Sequence, residues 1–165
     1  MKSVAAWAAA IGVFCVCACS PTTQRDSQPG GSTLSGVWEP EGPTQEVRLP
    51  DGSVIEAELR LTPEEQATGM MFRPQLPPDK GMLFLFSTME PRAFWMYQTN
   101  APLDIIWMDD NKRIVEISEN TPPCPSRDAR ECPTYGGTAH SVYVLEAAAG
   151  FVARHNLKIG DQLEF

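Results

Sequence analysis

A chain of 165 residues with 42% apolar content and a formal net charge of −8 has enough length for one domain with a packed core and too little for two. Its acidity, without any basic cluster, excludes tracking of phosphate backbones, so nucleic acid is not an expected partner. The same balance excludes electrostatic adhesion to an anionic lipid face.

Met1 and Lys2 give a short positive start, and Val4 to Val16 is almost wholly apolar. That run is too short to span a bilayer and has the form of a signal h-region. The Val16-Cys17-Ala18-Cys19 ending resembles a bacterial lipobox, in which the cysteine is lipidated and becomes the first mature residue. Residues 1–18 are therefore expected to be a signal peptide. Cys19 is expected to carry palmitate and other acyl chains that attach the protein to a membrane. A plain secretory signal cut near Ala18 is the alternative. Ser20 follows the cysteine, and no Asp stands there to mark inner-membrane retention. The expected location is the cell envelope, on the periplasmic face of the outer membrane if the organism is Gram-negative. Residues 19–43, rich in Pro, Gly, Ser and Thr, cannot bury a core and read as a flexible tether with a reach of roughly 25–30 Å.

The domain is expected over 44–165. Glu46 to Leu49, the turn Pro50-Asp51-Gly52-Ser53 and Val54 to Leu61 form a hairpin. In its second strand Ile55, Ala57, Leu59 and Leu61 face a core, and Glu56, Glu58 and Arg60 face water. Thr62, Pro63 and Glu65 set out a capping box for a short helix that Gly69 ends. Gly81 to Phe86 is an unbroken apolar run, expected to be covered on both faces. Phe94 to Tyr97 and Leu103 to Asp109 continue the strand pattern. Asp109-Asp110-Asn111-Lys112 turns the chain into Arg113 to Glu119, with Asn111 as the candidate left-handed residue. After a long loop come a strand at Val142 to Ala147, one or two helical turns within Ala148 to Asn156, and a last strand at Gln162 to Phe165. About seven short strands predict a mainly β, jelly-roll-like sandwich or barrel with one or two short helices.

Several segments occur in an order that resembles a known family: Gly69-Met70-Met71-Phe72-Arg73, Gly81-Met82-Leu83-Phe84, Phe94-Trp95-Met96, Pro102-Leu103-Asp104-Ile105-Ile106, Tyr143-Val144-Leu145-Glu146 with Gly150, and Gly160-Asp161. The chain from about 45 to 165 is similar to the bacterial and archaeal domain of unknown function 192. The resemblance implies a compact β-sandwich of jelly-roll type and no assigned activity. Two departures stand out. Where the family has a basic residue and Asn before Thr, this chain has Tyr97 and Gln98, and where it often has Gly in the hairpin turn, this chain has Lys112.

Four groups of residues are candidates for chemistry. Asp104 and Glu146 are carboxylates on apolar strands and need partners or shifted pKa values; Arg73 could satisfy one or both, as a buried ion pair or as a polar site. If the two carboxylates shared a cleft, they could run acid–base hydrolysis of an envelope polymer. Trp95 and Tyr97 share one face of their strand, with Phe94 and Met96 on the other, so the pair is either core or a stacking platform for a sugar or peptide. Met70, Met71, Met82, Met89, Met96 and Met108 could offer thioethers to Cu(I) or simply fill the core. Cys124 and Cys132 are the cysteines left after the signal and the lipidation site; in an oxidising compartment they are expected to form a disulfide across a polar loop, ahead of a zinc pair or redox couple. No nucleophile elbow, phosphate loop, zinc-protease helix or dinucleotide fingerprint is present, and no cofactor is implied. The function expected is therefore a non-enzymatic, lipid-anchored envelope module that binds a glycan, a peptide or another envelope protein.

Overall fold

The turn at Pro50–Ser53 forms as its chemistry demands. Leu49 and Ser53 close it through N–H to O contact at 2.9 Å, the Asp51 carboxylate accepts from the Ser53 N–H, and Gly52 supplies a φ of +86°. It joins β1 (Thr44–Arg48) to β2 (Val54–Arg60) as an antiparallel hairpin. The computed structural model describes residues 37–165, so the signal peptide, Cys19 and most of the expected tether lie outside the described residues.

The capping box is present in full. Thr62 accepts from the Glu65 N–H, and the Glu65 carboxylate accepts from the N–H of Thr62 and Leu61 at 2.9 Å, opening α1 (Pro63–Thr68). The crossover through α1 lets β3 (Lys80–Trp95) lie parallel to β2, the pairing that requires such a connection. The strands β4 (Leu103–Met108), β5 (Ile114–Thr121) and β6 (Thr134–Ala148) complete a six-stranded sheet in the order β1-β2-β3-β6-β4-β5. The short helix α2 (Phe151–Arg154) follows β6. The C-terminal segment then bonds both edges, with Arg48 pairing to Glu164 and Ile114 to Gly160 and Asp161. The architecture is mainly β and sandwich-like, with two short helices.

Because every strand alternates, the sheet buries two cores. Leu83, Ile106, Met108, Leu145 and Ala147 point to one, which α2 closes with Phe151 and Val152. Met82, Phe84, Ile105, Trp107 and Val144 point to the other, covered by Trp38, Met70, Leu76 and Met96. The first four residues of the Gly81–Phe86 run are buried on both faces, as expected, and β4 is buried along its whole length.

Several expectations need correction: Leu61, expected to face a core, is 50% exposed, and the last strand expected over Gln162 to Phe165 is reduced to isolated bridges at Gln162 and Glu164. Trp38 is 4% exposed within the second core and Glu41 pairs with Arg73, so residues 38–43 of the tether expected over 19–43 belong to the domain. Two residues of β2 expected to face water are covered, Glu58 at 0% and Arg60 at 6% exposed, while Glu56 stays half-exposed and pairs with Lys80 at 2.8 Å. The loop expected before Val142 is largely strand, because Thr134 to His140 pairs with the far half of β3. The left-handed residue of the β4–β5 turn is Lys112 (φ +61°) rather than Asn111, and its ammonium lies 4.4 Å over the Phe165 ring, which offsets the strain.

Gln98 (φ +51°) and Phe72 (φ +61°) are also left-handed, joined by a Phe72 N–H to Gln98 O bond of 2.9 Å. Asn tolerates this backbone better than Gln because its short side chain bonds locally. Gln98→Asn is expected to raise unfolding free energy by about 0.5–1 kcal/mol, read as a higher urea midpoint at unchanged m-value.

Candidate functional site

Strand register builds the site on the face of the second core. One cross-strand row runs Glu58, Met82, Glu146, Ile105, and the next runs Arg60, Phe84, Val144, Trp107. Three charged residues thus stand among large apolar side chains. Glu58 is satisfied by two cations: Arg60 at 3.1 Å and Arg73, from the loop after α1, at 3.0 Å. Arg60 also donates from Nε to the Met82 sulfur at 3.3 Å. Glu146 receives neither guanidinium as a hydrogen-bond partner, and its Oε2 presents almost no surface and has no partner among the described residues. Burial pushes its carboxyl up to about 8, against the attraction of Arg60.

Glu146 floors a narrow pocket under the turn that ends α1. Gly69 carries φ +45° there, and a Cβ on it would meet the Phe84 ring at 3.2 Å and Glu146 Oε2 at 3.8 Å. Glycine therefore lets the backbone pass close over the carboxyl. The walls come from Thr68, Phe94, Trp95, Tyr97 and Thr99, and the space between them is about 20 Å³.

The aromatic strand divides as its alternation predicts. Phe94 and Met96 turn to the core, while Trp95 is 40% exposed and lies 5.7 Å from the Tyr97 ring at 44°. Cys124 and Cys132 are disulfide-bonded, and the loop they staple supports this pair: the Tyr97 hydroxyl donates to the Arg127 carbonyl at 3.2 Å, and the Cys124 N–H donates to Met96 O at 3.0 Å. On the other side of Trp95 a groove of about 440 Å³ runs between α1 and β3, lined by Gln66, Phe86 and Arg92. There the Arg92 guanidinium lies 3.8 Å over the Phe86 ring.

Arg73, Asp104 and Glu146 do not converge. Arg73 is spent on Glu58, the exposed Glu41 (3.3 Å), the Glu39 carbonyl and the Trp38 ring. Asp104 lies on the opposite face of the sheet, 0% exposed, and accepts from the N–H of Asn120 at 2.7 Å and of Val152 at 2.8 Å. It caps α2 from a distance, since the helix begins at Gly150 with no side-chain cap of its own. A hydrolytic pair needs both carboxylates in one cleft, and these two face away from each other. Met70, Met82 and Met96 are buried in the second core and Met108 in the first, while Met89 is exposed. The sequence reading missed Glu58 and Arg60 as buried ions and Arg92 as a groove residue. Nothing local marks the first two, because charge alternating with apolar residues is also the signature of a wet strand face.

The fold and site define a small β domain that wraps two cores around one sheet and opens an aromatic-walled pocket beside its first helix. The chain belongs to the DUF192 family, described as "Uncharacterized ACR", whose match covers residues 46–165. A comparison with the curated proteins finds no match. A protein from Sinorhizobium meliloti 1021, described as a candidate transcription regulator, is 33% identical, with a TM-score of 0.67 over 76% of this chain and 96% of its own. A protein of unknown function from Novosphingobium aromaticivorans DSM 12444 is 31% identical, with a TM-score of 0.68 over 82% of this chain and 100% of its own.

Proposed function

We propose that this chain is a lipid-anchored, non-enzymatic binding module of the cell envelope. Acyl chains on Cys19 would hold it to the membrane, and Trp95 with Tyr97 would recognise a glycan, a peptide or another envelope protein. The observation that carries the binding reading is the pair of exposed Trp95 and half-buried Tyr97 at the edge of a pocket. Two large rings side by side offer contact area at little entropic cost, since the Arg127 carbonyl on the Cys124–Cys132 loop already holds Tyr97, against which Trp95 rests at 5.7 Å. The regulator description of the Sinorhizobium relative is not carried over, because a chain of net charge −8 has little with which to neutralise phosphates.

A screen of envelope glycans and peptides against the mature protein tests the binding reading. The double variant Trp95→Ala/Tyr97→Ala is expected to weaken the selected ligand by about tenfold or more while the far-ultraviolet dichroism stays unchanged. Equal binding by the folded double variant overturns this surface. Detergent-phase partition, with the mass of the N-terminal peptide, tests the anchor. An unmodified Cys19 in the aqueous phase would overturn it.

A further inference from the structure

We propose that the pocket floored by Glu146 takes a primary alkylammonium group, of which the lysine side chain of a partner protein is the natural form. The inference rests on the binding reading above and names the chemistry the module selects. Glu146 is 4% exposed, its Oε2 has no hydrogen-bond partner among the described residues, and it lines a cavity of about 20 Å³. That space holds one water-sized group. An –NH₃⁺ head has that size and brings three donors, whereas a guanidinium is a wider planar fork and a trimethylammonium is larger still. The rings of Phe84, Phe94, Trp95 and Tyr97 line the same pocket. They attract a cation, and Trp95, 40% exposed, offers its face to the methylene stem that stays outside the cavity.

Charge points the same way. Among the residues lining this pocket none is cationic. Arg60, the cation whose charge acts on Glu146, is engaged by Glu58, and Arg73 is held by Glu58 and Glu41. The chain as a whole is acidic, which favours approach of a basic partner. In the free site the Glu146 carboxyl retains its proton near neutral pH, because burial raises it to about 8. When the ammonium enters, that O–H bond breaks, the proton passes to the buffer, and the carboxylate receives N–H donors from the ligand, whose own three protons are kept.

The test is calorimetry of the mature protein with n-butylammonium, in two buffers of different ionisation heat, between pH 6 and 8. Saturable binding is expected, with release of close to one proton at pH 6 falling to about half a proton at pH 8, and affinity rising by about tenfold per pH unit below the carboxyl's own value. The trimethylammonium homologue and a guanidinium homologue are expected to bind at least about tenfold more weakly. Glu146→Gln is expected to lose the proton release and about tenfold or more of the affinity. A lysine-bearing peptide binding more tightly than spermidine supports a protein partner, and the reverse order overturns that source. No saturable heat at millimolar n-butylammonium, or equal binding by Glu146→Gln, overturns the site. If the ammonium fails while the screened ligand still depends on Trp95 and Tyr97, this inference falls and the platform reading stands; if both fail, both fall.

Discussion

Glu146→Gln is expected to make the protein about 4 kcal/mol more stable than the parent chain at pH 8 and to leave it nearly unchanged at pH 4. The folded-state carboxyl lies at about 8 against an ordinary value of 4.5, with burial as the main cause and Arg60 opposing it. A raised carboxyl means that the folded protein holds a proton that the unfolded chain releases. Between pH 4.5 and 8 the unfolded state therefore binds fewer protons, so stability falls as pH rises through that window. The neutral amide has no proton to lose, and its curve over this range should be flatter. The groups facing Glu146 are Arg60 from β2, with Glu58 and Arg73 behind it, and the Tyr97 phenol on the pocket wall. The exposed Asp51 carboxyl is lowered to about 2 by its bond to His155, which places its own titration below the window. Urea unfolding at four pH values, parent against variant, reads the effect. A parent curve that is flat or rising from pH 5 to 8, or a variant with the same slope, removes the buried acid from the account.

How far the sequence alone specifies this arrangement depends on how local each signal is. Thr62, Pro63 and Glu65 make a cap from neighbours in sequence, and the helix forms where they place it. Trp95 and Tyr97 separate from Phe94 and Met96 by strand alternation alone. Cys124 and Cys132 pair by elimination. Asp104 and Glu146 were legible as anomalies, since a carboxylate on an apolar strand must be resolved somehow. The resolution was not legible, because it comes from chain segments far away: the Asn120 and Val152 N–H groups for Asp104, and for Glu146 a lone pocket under Gly69. Glu58 and Arg60 were misread for the same reason. Their cover is the Trp38–Glu41 segment and the Arg73 loop, and a strand's own pattern cannot say what will be laid over it. The polar stretch from Thr134 to His140 lacks any periodic apolar signal and becomes strand only because β3 continues far enough to pair with it.

Arg73→Met is expected to cost about 3–5 kcal/mol, because it strips one of two cations from a carboxylate with no access to water. Glu58 is 0% exposed, and Arg73 meets its Oε2 at 3.0 Å while Arg60 takes Oε1 at 3.1 Å. With Arg73 gone, Oε2 loses its charged donor, and the Glu39 carbonyl and Trp38 ring lose the guanidinium that holds their segment to the sheet. The contrast is Glu41→Gln, which also removes an Arg73 partner. Its carboxylate is 68% exposed, so water already screens the pair and the expected loss is under about 1 kcal/mol. A third variant, Arg73→Lys, separates charge from shape: one ammonium cannot reach Glu58, Glu41 and the Glu39 carbonyl at once, so only part of the loss should return. Urea midpoints rank the three. Amide exchange at Met71 and Phe72 should quicken in Arg73→Met before the sheet opens, since the same guanidinium anchors the loop that roofs Glu146. If Arg73→Met proves no worse than Glu41→Gln, the buried triad is not what fastens that loop, and Glu58 must draw its compensation from Arg60 alone.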